Sequence, residues 1–229
     1  MSWKGEKTMV PRYVVAAALL LLLGGTCVLC GCGPAGMVIS AGTKLSSEDT
    51  ITRKAEYEIG GRSIVVIPFR DERHTYYESS DGVDLATAVK GELIRTNAAR
   101  NVRSDEPVRT SLAGKDLDSI GWAEVAKQAG AQLVLTGDIQ RFTLKDPKAI
   151  GILRGTCKLN YFVYDAARGV VAYSVRGLEV YHPERGGGIP ESEVDQEKLR
   201  SDLLSITALK VVQKFYTYKE KVGLPPSRY

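Results

Sequence analysis

Ala131-Gln132-Leu133-Val134-Leu135-Thr136-Gly137-Asp138-Ile139 is the strongest strand signal in the chain. A short apolar run that follows a glycine stop at Gly130 reads as a strand, not as one turn of a longer helix. What lies downstream agrees with it. Asp146-Pro147-Lys148 marks a turn. Leu153, Cys157, Leu159, Tyr161 and Val163 then alternate with Arg154, Thr156, Lys158, Asn160 and Phe162. That period of two predicts a strand with one buried and one mostly wet face. Ala166-Ala167-Arg168-Gly169 predicts a hairpin turn, and Val171, Tyr173 and Val175 pair back as its return strand.

Upstream, Ser119–Gln128 reads as a helix with Trp122, Val125, Ala126 and Ala129 on its apolar face, stopped by Gly130. Val102–Val108 reads as a strand, irregular at Pro107. Val83, Ala86, Val89 and Leu93 share one helical face, with Asp81 as its cap and an end at Asn97–Asn101. Ser63–Phe69 is a first buried strand ending at Pro68. Past Gly186-Gly187-Gly188, a long helix is expected from about Glu191 to Lys221, with an apolar stripe of Leu199, Leu203, Ile206, Leu209, Val212 and Tyr216. Lys210, Lys214, Lys219 and Lys221 would lie on its wet side, with contact to anionic lipid or cell-wall polymer as the lesser alternative. Pro225-Pro226 ends it. The order β-α-β-α-β-β-β-α predicts a single α/β domain over residues 62–223, a mixed sheet of about five strands with helices packed on it, and a tail at 224–229.

The amino-terminal residues set the address. Lys4, Lys7 and Arg12 precede an apolar run over Val14–Leu23, which is the order of an export signal. Leu29-Cys30-Gly31-Cys32 carries an aliphatic residue, a small residue and a cysteine at the spacing of a bacterial lipobox. The expected product is a signal peptide at 1–31 cleaved before a lipidated Cys32. An uncleaved anchor over Tyr13–Cys32 is the alternative, since that run is about long enough to span a bilayer. Both place the domain in the cell envelope, beyond the inner membrane. Gly33 after the cysteine implies an outer membrane destination facing the periplasm in a Gram-negative source. Residues 32–61, with Gly33-Pro34-Ala35-Gly36, a polar Ser46–Thr50 stretch and Gly60-Gly61, read as a flexible tether.

Composition narrows the classes. Of 229 residues, 44% are hydrophobic and 25% charged, as in folded domains. The formal charge of +4 is partly carried by the signal and implies no nucleic-acid partner. Of four cysteines, two lie in the signal and Cys32 is acylated. Cys157 is therefore left alone, and the domain has no internal disulfide and no cysteine metal framework.

The Ile67-Pro68-Phe69 strand end, the Gly130–Gly137 strand and the strand pair around Asp165-Ala166-Ala167-Arg168-Gly169 together resemble a group of small envelope α/β domains. Among them are the curli-secretion lipoprotein CsgG, the penicillin-binding-protein activator LpoB and the N-terminal domain of TolB. The likeness spans roughly residues 62–216. Asp71-Glu72-Arg73 also resembles YajG-type lipoproteins. The group implies partner binding or assembly without catalysis. The chain departs from CsgG in lacking paired long amphipathic segments for a membrane barrel.

Chemistry is sparse. His74 and His182 could take Asp71, Glu72 or Glu184 as metal co-ligands, but no HxH or HExxH spacing exists. There is no Gly-x-Ser-x-Gly elbow. Gly186–Gly188 lacks the Lys-Ser/Thr of a phosphate loop. Asp71, Glu72 and Glu78 would suit an acid–base pair, yet they sit in a charged loop that reads as solvated. That loop, Arg70 to Ser80, follows the carboxyl end of the first strand, where α/β sheets hold ligands and partners. Arg70, Arg73, Tyr76 and Tyr77 are its candidate contact residues, because Arg and Tyr favour interfaces. The expectation is a non-catalytic adaptor, activator or assembly subunit, bound to the membrane through lipid and to an envelope protein partner. No cofactor is expected apart from the acyl groups on Cys32, and a homo-oligomer is left open. The alternatives are a CsgG-type secretion-channel subunit and an envelope hydrolase.

Overall fold

The structure, a computed structural model, describes residues 50–71, 80–111, 120–145, 150–184 and 187–221. In chain order its elements are β1 (Thr50–Arg53), β2 (Ser63–Val66), β3 (Arg70–Asp71), α1 (Ser80–Arg95), β4 (Asn101–Arg103), α2 (Glu106–Ser111), α3 (Trp122–Ala129), β5 (Leu133–Lys145), β6 (Ile152–Asp165), β7 (Val170–His182), β8 (Ile189–Pro190), α4 (Gln196–Val212) and β9 (Tyr218–Lys221).

The main sheet runs β4-β2-β5-β6-β7. β4, β2 and β5 are parallel, while β5, β6 and β7 are antiparallel neighbours. β3 continues the β2 lane alongside β5, and β8 lies against β6. The expected mixed α/β sheet is what forms.

Alternation decides the two faces. Along β6 the side chains switch strictly between buried and half-buried from Ile152 to Asp165. On β5, Leu133, Leu135, Gly137 and Ile139 face the larger core, and a bulge between Ile139 and Arg141 shifts the phase so that Phe142 faces it too. That core joins Ile64, Val66, Leu159, Tyr161 and Val163 to Leu85, Val89 and Leu93 of α1 and Leu203, Ala208 and Val211 of α4. Burying each large aliphatic side chain contributes about 1.5–3 kcal/mol. Across the sheet, Val65, Ile67 and Val134 meet Val108 of α2 and Val125, Ala126 and Ala129 of α3. α3 also reaches β6, where Trp122 meets Phe162 edge-on at 5.4 Å and Tyr164 packs on the same cluster. Among the described residues no helix packs on this face beyond Phe162, over Arg154, Thr156 and Lys158.

Asp81, expected as a cap, lies in the first turn of α1, which begins at Ser80, while two other helix ends carry defined caps. Gly130 caps α3 in the left-handed region at φ 60°, donating to the Ala126 and Lys127 carbonyls. Asp195 caps α4 by accepting from Glu197 N. Thr207 Oγ1 donates to the Leu203 carbonyl inside α4. Arg200 reaches from α4 to Asp81 (2.7 Å) and Asp84 (2.6 Å) of α1.

Three expectations need correction. Residues 50–61 of the predicted tether are part of the fold. β1 pairs antiparallel with β9, Tyr57 stacks on Tyr173 at 5.6 Å between centroids, and Ile59 is fully buried. The long helix predicted to Lys221 stops at Val212, because Phe215 turns into the core and the chain then runs extended to pair with β1. Lys219 and Lys221 are therefore strand residues, Lys214 lies in the turn between, and only Lys210 is helical. Finally, the predicted strand Val102–Val108 is β4 followed by α2, with Pro107 in the helix's first turn where its missing N–H costs nothing.

Candidate functional site

β7 is the last strand of the main sheet and pairs as a strand only with β6 among the described residues. Its outer edge is thus a row of backbone donors and acceptors without a neighbouring strand. The opposite edge is β4, three residues long, so β7 is the long one at 13 residues. A bulge divides it. Arg176 and Gly177 stand opposite the single residue Asn160, Gly177 takes φ 66°, and its N–H donates to Asn160 Oδ1 at 2.7 Å. The bulge itself carries the charged Arg176, and Glu179 lies beyond it. Before it, Val170-Val171-Ala172-Tyr173-Ser174-Val175 is uncharged and rich in β-formers. Val170 and Val171 are 44% and 52% exposed, a large apolar pair on a free edge.

The amino-terminal strap lies against the same end of β7. Tyr173 Oη donates to Glu56 Oε2 at 2.7 Å, and Lys214 pairs with the same carboxylate. Glu56 and Tyr57 N–H groups donate to the Lys214 carbonyl. The ammonium of Lys214, then the Tyr173 hydroxyl, hold the Glu56 carboxyl below its ordinary range. Burial, then the Glu56 carboxylate, raise the Tyr173 phenol. Tyr57, Tyr161, Tyr173 and Phe215 pack ring on ring at 5.6–6.4 Å. The strap thus fixes the aromatic side of the edge.

Of the site residues expected from sequence, Arg70 lies on β3 and pairs with Asp138 of β5 at 2.7 Å. Arg73, Tyr76, Tyr77 and Cys32 fall outside the described residues. Asp71 is fully buried, next to Ile139 in register. His182 stands 3.8 Å from Asp202, and Glu184 pairs with Lys210. No group of three His, Cys, Asp or Glu among the described residues is placed to hold a metal ion. Cys157 is buried, which pushes its thiol up to about 12. Among the described residues no helix is long and apolar enough to cross a membrane. The free edge was missed in the sequence because a hairpin's return strand looks alike at an edge and in a sheet centre. The lack of charge over Val170–Val175 marks pairing competence but not position.

No protein-family model matches the chain, and no curated protein matches it. Solved structures do. A PelC dodecamer from Paraburkholderia phytofirmans is 16% identical, with 74% of this chain and 99% of that chain covered and a TM-score of 0.42. The lipoprotein GNA1162 from Neisseria meningitidis is 14% identical over 66% of this chain and 99% of that one, with a TM-score of 0.44. The LpoB C-terminal domain from Escherichia coli is 15% identical over 52% and 82%, with a TM-score of 0.35.

Proposed function

We propose that this chain is a lipid-anchored envelope protein whose α/β domain binds a protein partner without catalysis, acting as an adaptor or activator. The observation that carries it is the free edge of β7 over Val170–Val175, which suits strand addition by an extended segment of a partner. Main-chain hydrogen bonds would supply affinity, and Val170 and Val171 an apolar grip. Cys32 is the proposed acylation site, residues 1–31 the signal, and 33–49 the link to the domain. Arg70, Arg73, Tyr76 and Tyr77 remain proposed contacts of the loop that opens from β3.

A second reading uses the same edge. Antiparallel pairing of Val170–Val175 with another copy sets no like charges opposite one another, so the partner would be a second copy and the protein an assembly subunit. A photo-crosslinker at Ser174 in living cells separates the two. The adaptor reading expects crosslinks to another protein, which Val171→Lys with Ser174 retained would abolish. The assembly reading expects crosslinks between copies and a native mass above that of the monomer. If Val171→Lys leaves every crosslink intact, the edge is not the docking element. Radioactive fatty acid should label the wild type and not Cys32→Ala, and equal labelling would overturn the anchor.

A further inference from the structure

The open face of β5, β6 and β7 carries a cation cluster that the edge does not explain. Arg141 of β5 stands directly opposite Lys158 of β6, and Lys158 directly opposite Glu179 of β7. In the next row Thr143, Thr156 and Tyr181 face one another across the same strands. The Arg154 guanidinium lies over the Tyr181 ring, 4.7 Å from its centroid. Arg154 Nε is buried without an acceptor.

Two like charges placed directly opposite on neighbouring strands repel. Here Glu179 is the one carboxylate opposite them, and its neighbour Tyr181 feels it first: Glu179 raises the phenol while Arg154 and Arg141 lower it. Arg141, Arg154 and Lys158 make no ion pair with any carboxylate among the described residues. Three cations against one carboxylate leave a net positive sheet face. A single mobile counter-ion would not compensate cations spread over two strands and two rows, but a lattice of fixed anions would.

The geometry points to this face as a docking surface for anionic phospholipid headgroups of the membrane from which the chain hangs. This rests on the anchor at Cys32 proposed above. Residues 33–49 separate that cysteine from Thr50, and seventeen residues span at most about 60 Å. Lipid phosphates are therefore within reach of the domain at all times, at high effective concentration. Among the described residues no helix covers the rows of Lys158 and Arg154, so the cations are presented side by side to a planar surface. Arg and Lys near an anionic surface are each attracted to it, and a tyrosine beside them suits the headgroup level.

The test uses the full-length acylated chain in vesicles of phosphatidylcholine, with or without phosphatidylglycerol. Thr156→Cys reports on the face, and Ser201→Cys, exposed on α4, reports on the helical side. A membrane-impermeant maleimide should label position 156 about tenfold more slowly with phosphatidylglycerol present. Position 201 should not change, and high salt should restore labelling at 156. Arg141→Gln with Lys158→Gln should remove the difference. Equal labelling at 156 in both vesicles overturns the proposal, as does protection by added polyglutamate but not by phosphatidylglycerol. Flotation with pure phosphatidylcholine vesicles reads the anchor alone. If that fails, the same rates are read with vesicles added to the free chain, and absence of protection there overturns the face by itself.

Discussion

Gly137 of β5 lies directly opposite Tyr161 of β6, so close that a Cβ at 137 would stand 2.7 Å from the Tyr161 Cα and 2.0 Å from the Asn160 carbonyl oxygen. Both obstacles are backbone in the middle of the sheet, and neither can give way. Gly137→Ala must therefore push β5 and β6 apart and should cost about 1–3 kcal/mol or more. Gly155→Ala is the control. There the nearest atom is Leu203 Cδ2 at 3.1 Å, the end of a flexible side chain, so the loss should be smaller. Urea unfolding with unchanged slope measures both. Equal midpoints for Gly137→Ala and wild type would contradict the close approach.

The reason for Gly137 was legible in the sequence as a glycine inside a strong strand. So were the strict alternation of β6, the hairpin at Ala166–Gly169 and the Gly130 stop, because each is written in residues adjacent along the chain. The strap was not. Thr50–Arg53 is exposed along its whole length, so it carries no burial pattern, and its partner β9 lies 167 residues away at the Arg53–Glu220 pair. The last helix was over-extended for the same reason: Lys214–Lys221 is locally compatible with a helix, and only pairing with β1 makes it a strand. α2 could have been found, since Asp105-Glu106-Pro107 is a helix start signal. Of the expected contact residues, Arg70 alone is placed, and Asp138 already engages it. The cations of the open face were seen only as the wet half of an alternation, because cross-strand register, not sequence, sets Arg141 against Lys158.

Two phenols in the aromatic cluster separate ring from hydroxyl. Tyr57 Oη and Tyr161 Oη are buried and find no partner of hydrogen-bond geometry among the described residues, the Tyr173 hydroxyl being the polar group that Tyr161 Oη feels. Removing an unpaired buried hydroxyl removes a desolvation cost. Tyr161→Phe should thus unfold within about 0.5 kcal/mol of wild type or above it. Tyr57→Ala instead loses the stack on Tyr173 and the Arg62 cation contact at 5.3 Å, and should cost about 1–3 kcal/mol, less than a fully buried ring. Thermal or urea unfolding distinguishes them. A large loss for Tyr161→Phe would mean that its hydroxyl is bonded.

Cys157 tests the integrity of the large core chemically. Its side chain is fully buried between the sheet and α4, and burial raises the thiol to about 12. The reactive thiolate is then scarce at neutral pH, and reagent access is closed as well. Maleimide should leave Cys157 unmodified in the folded protein and modify it fully in denaturant, as read by intact mass. Rapid labelling without denaturant would show that α4 lifts from the sheet.

Acid should release the strap before it unfolds the sheet. Two carboxylates fasten the strap to the carboxyl-terminal segment: Glu56 to Lys214 and Tyr173, and Glu220 to Arg53 at 2.8 Å. Both are held below the ordinary range, Glu56 first by Lys214 and Glu220 first by Arg53. A lowered carboxylate stabilises the fold above its unfolded value, about 4.3 for Glu, and that stability is lost as pH falls through the lowered folded value. The groups are mostly exposed, so salt should weaken the same contacts at neutral pH. Hydrogen-exchange protection of residues 50–57 and of β9 should therefore fall below about pH 4, while β5 and β6 keep theirs. Glu56→Gln should weaken strap protection at neutral pH and flatten its acid dependence. The Ser174 crosslinker then asks whether the strap governs the edge: strap release that leaves the crosslinking yield unchanged would show that Tyr57 and Glu56 brace the fold without gating β7.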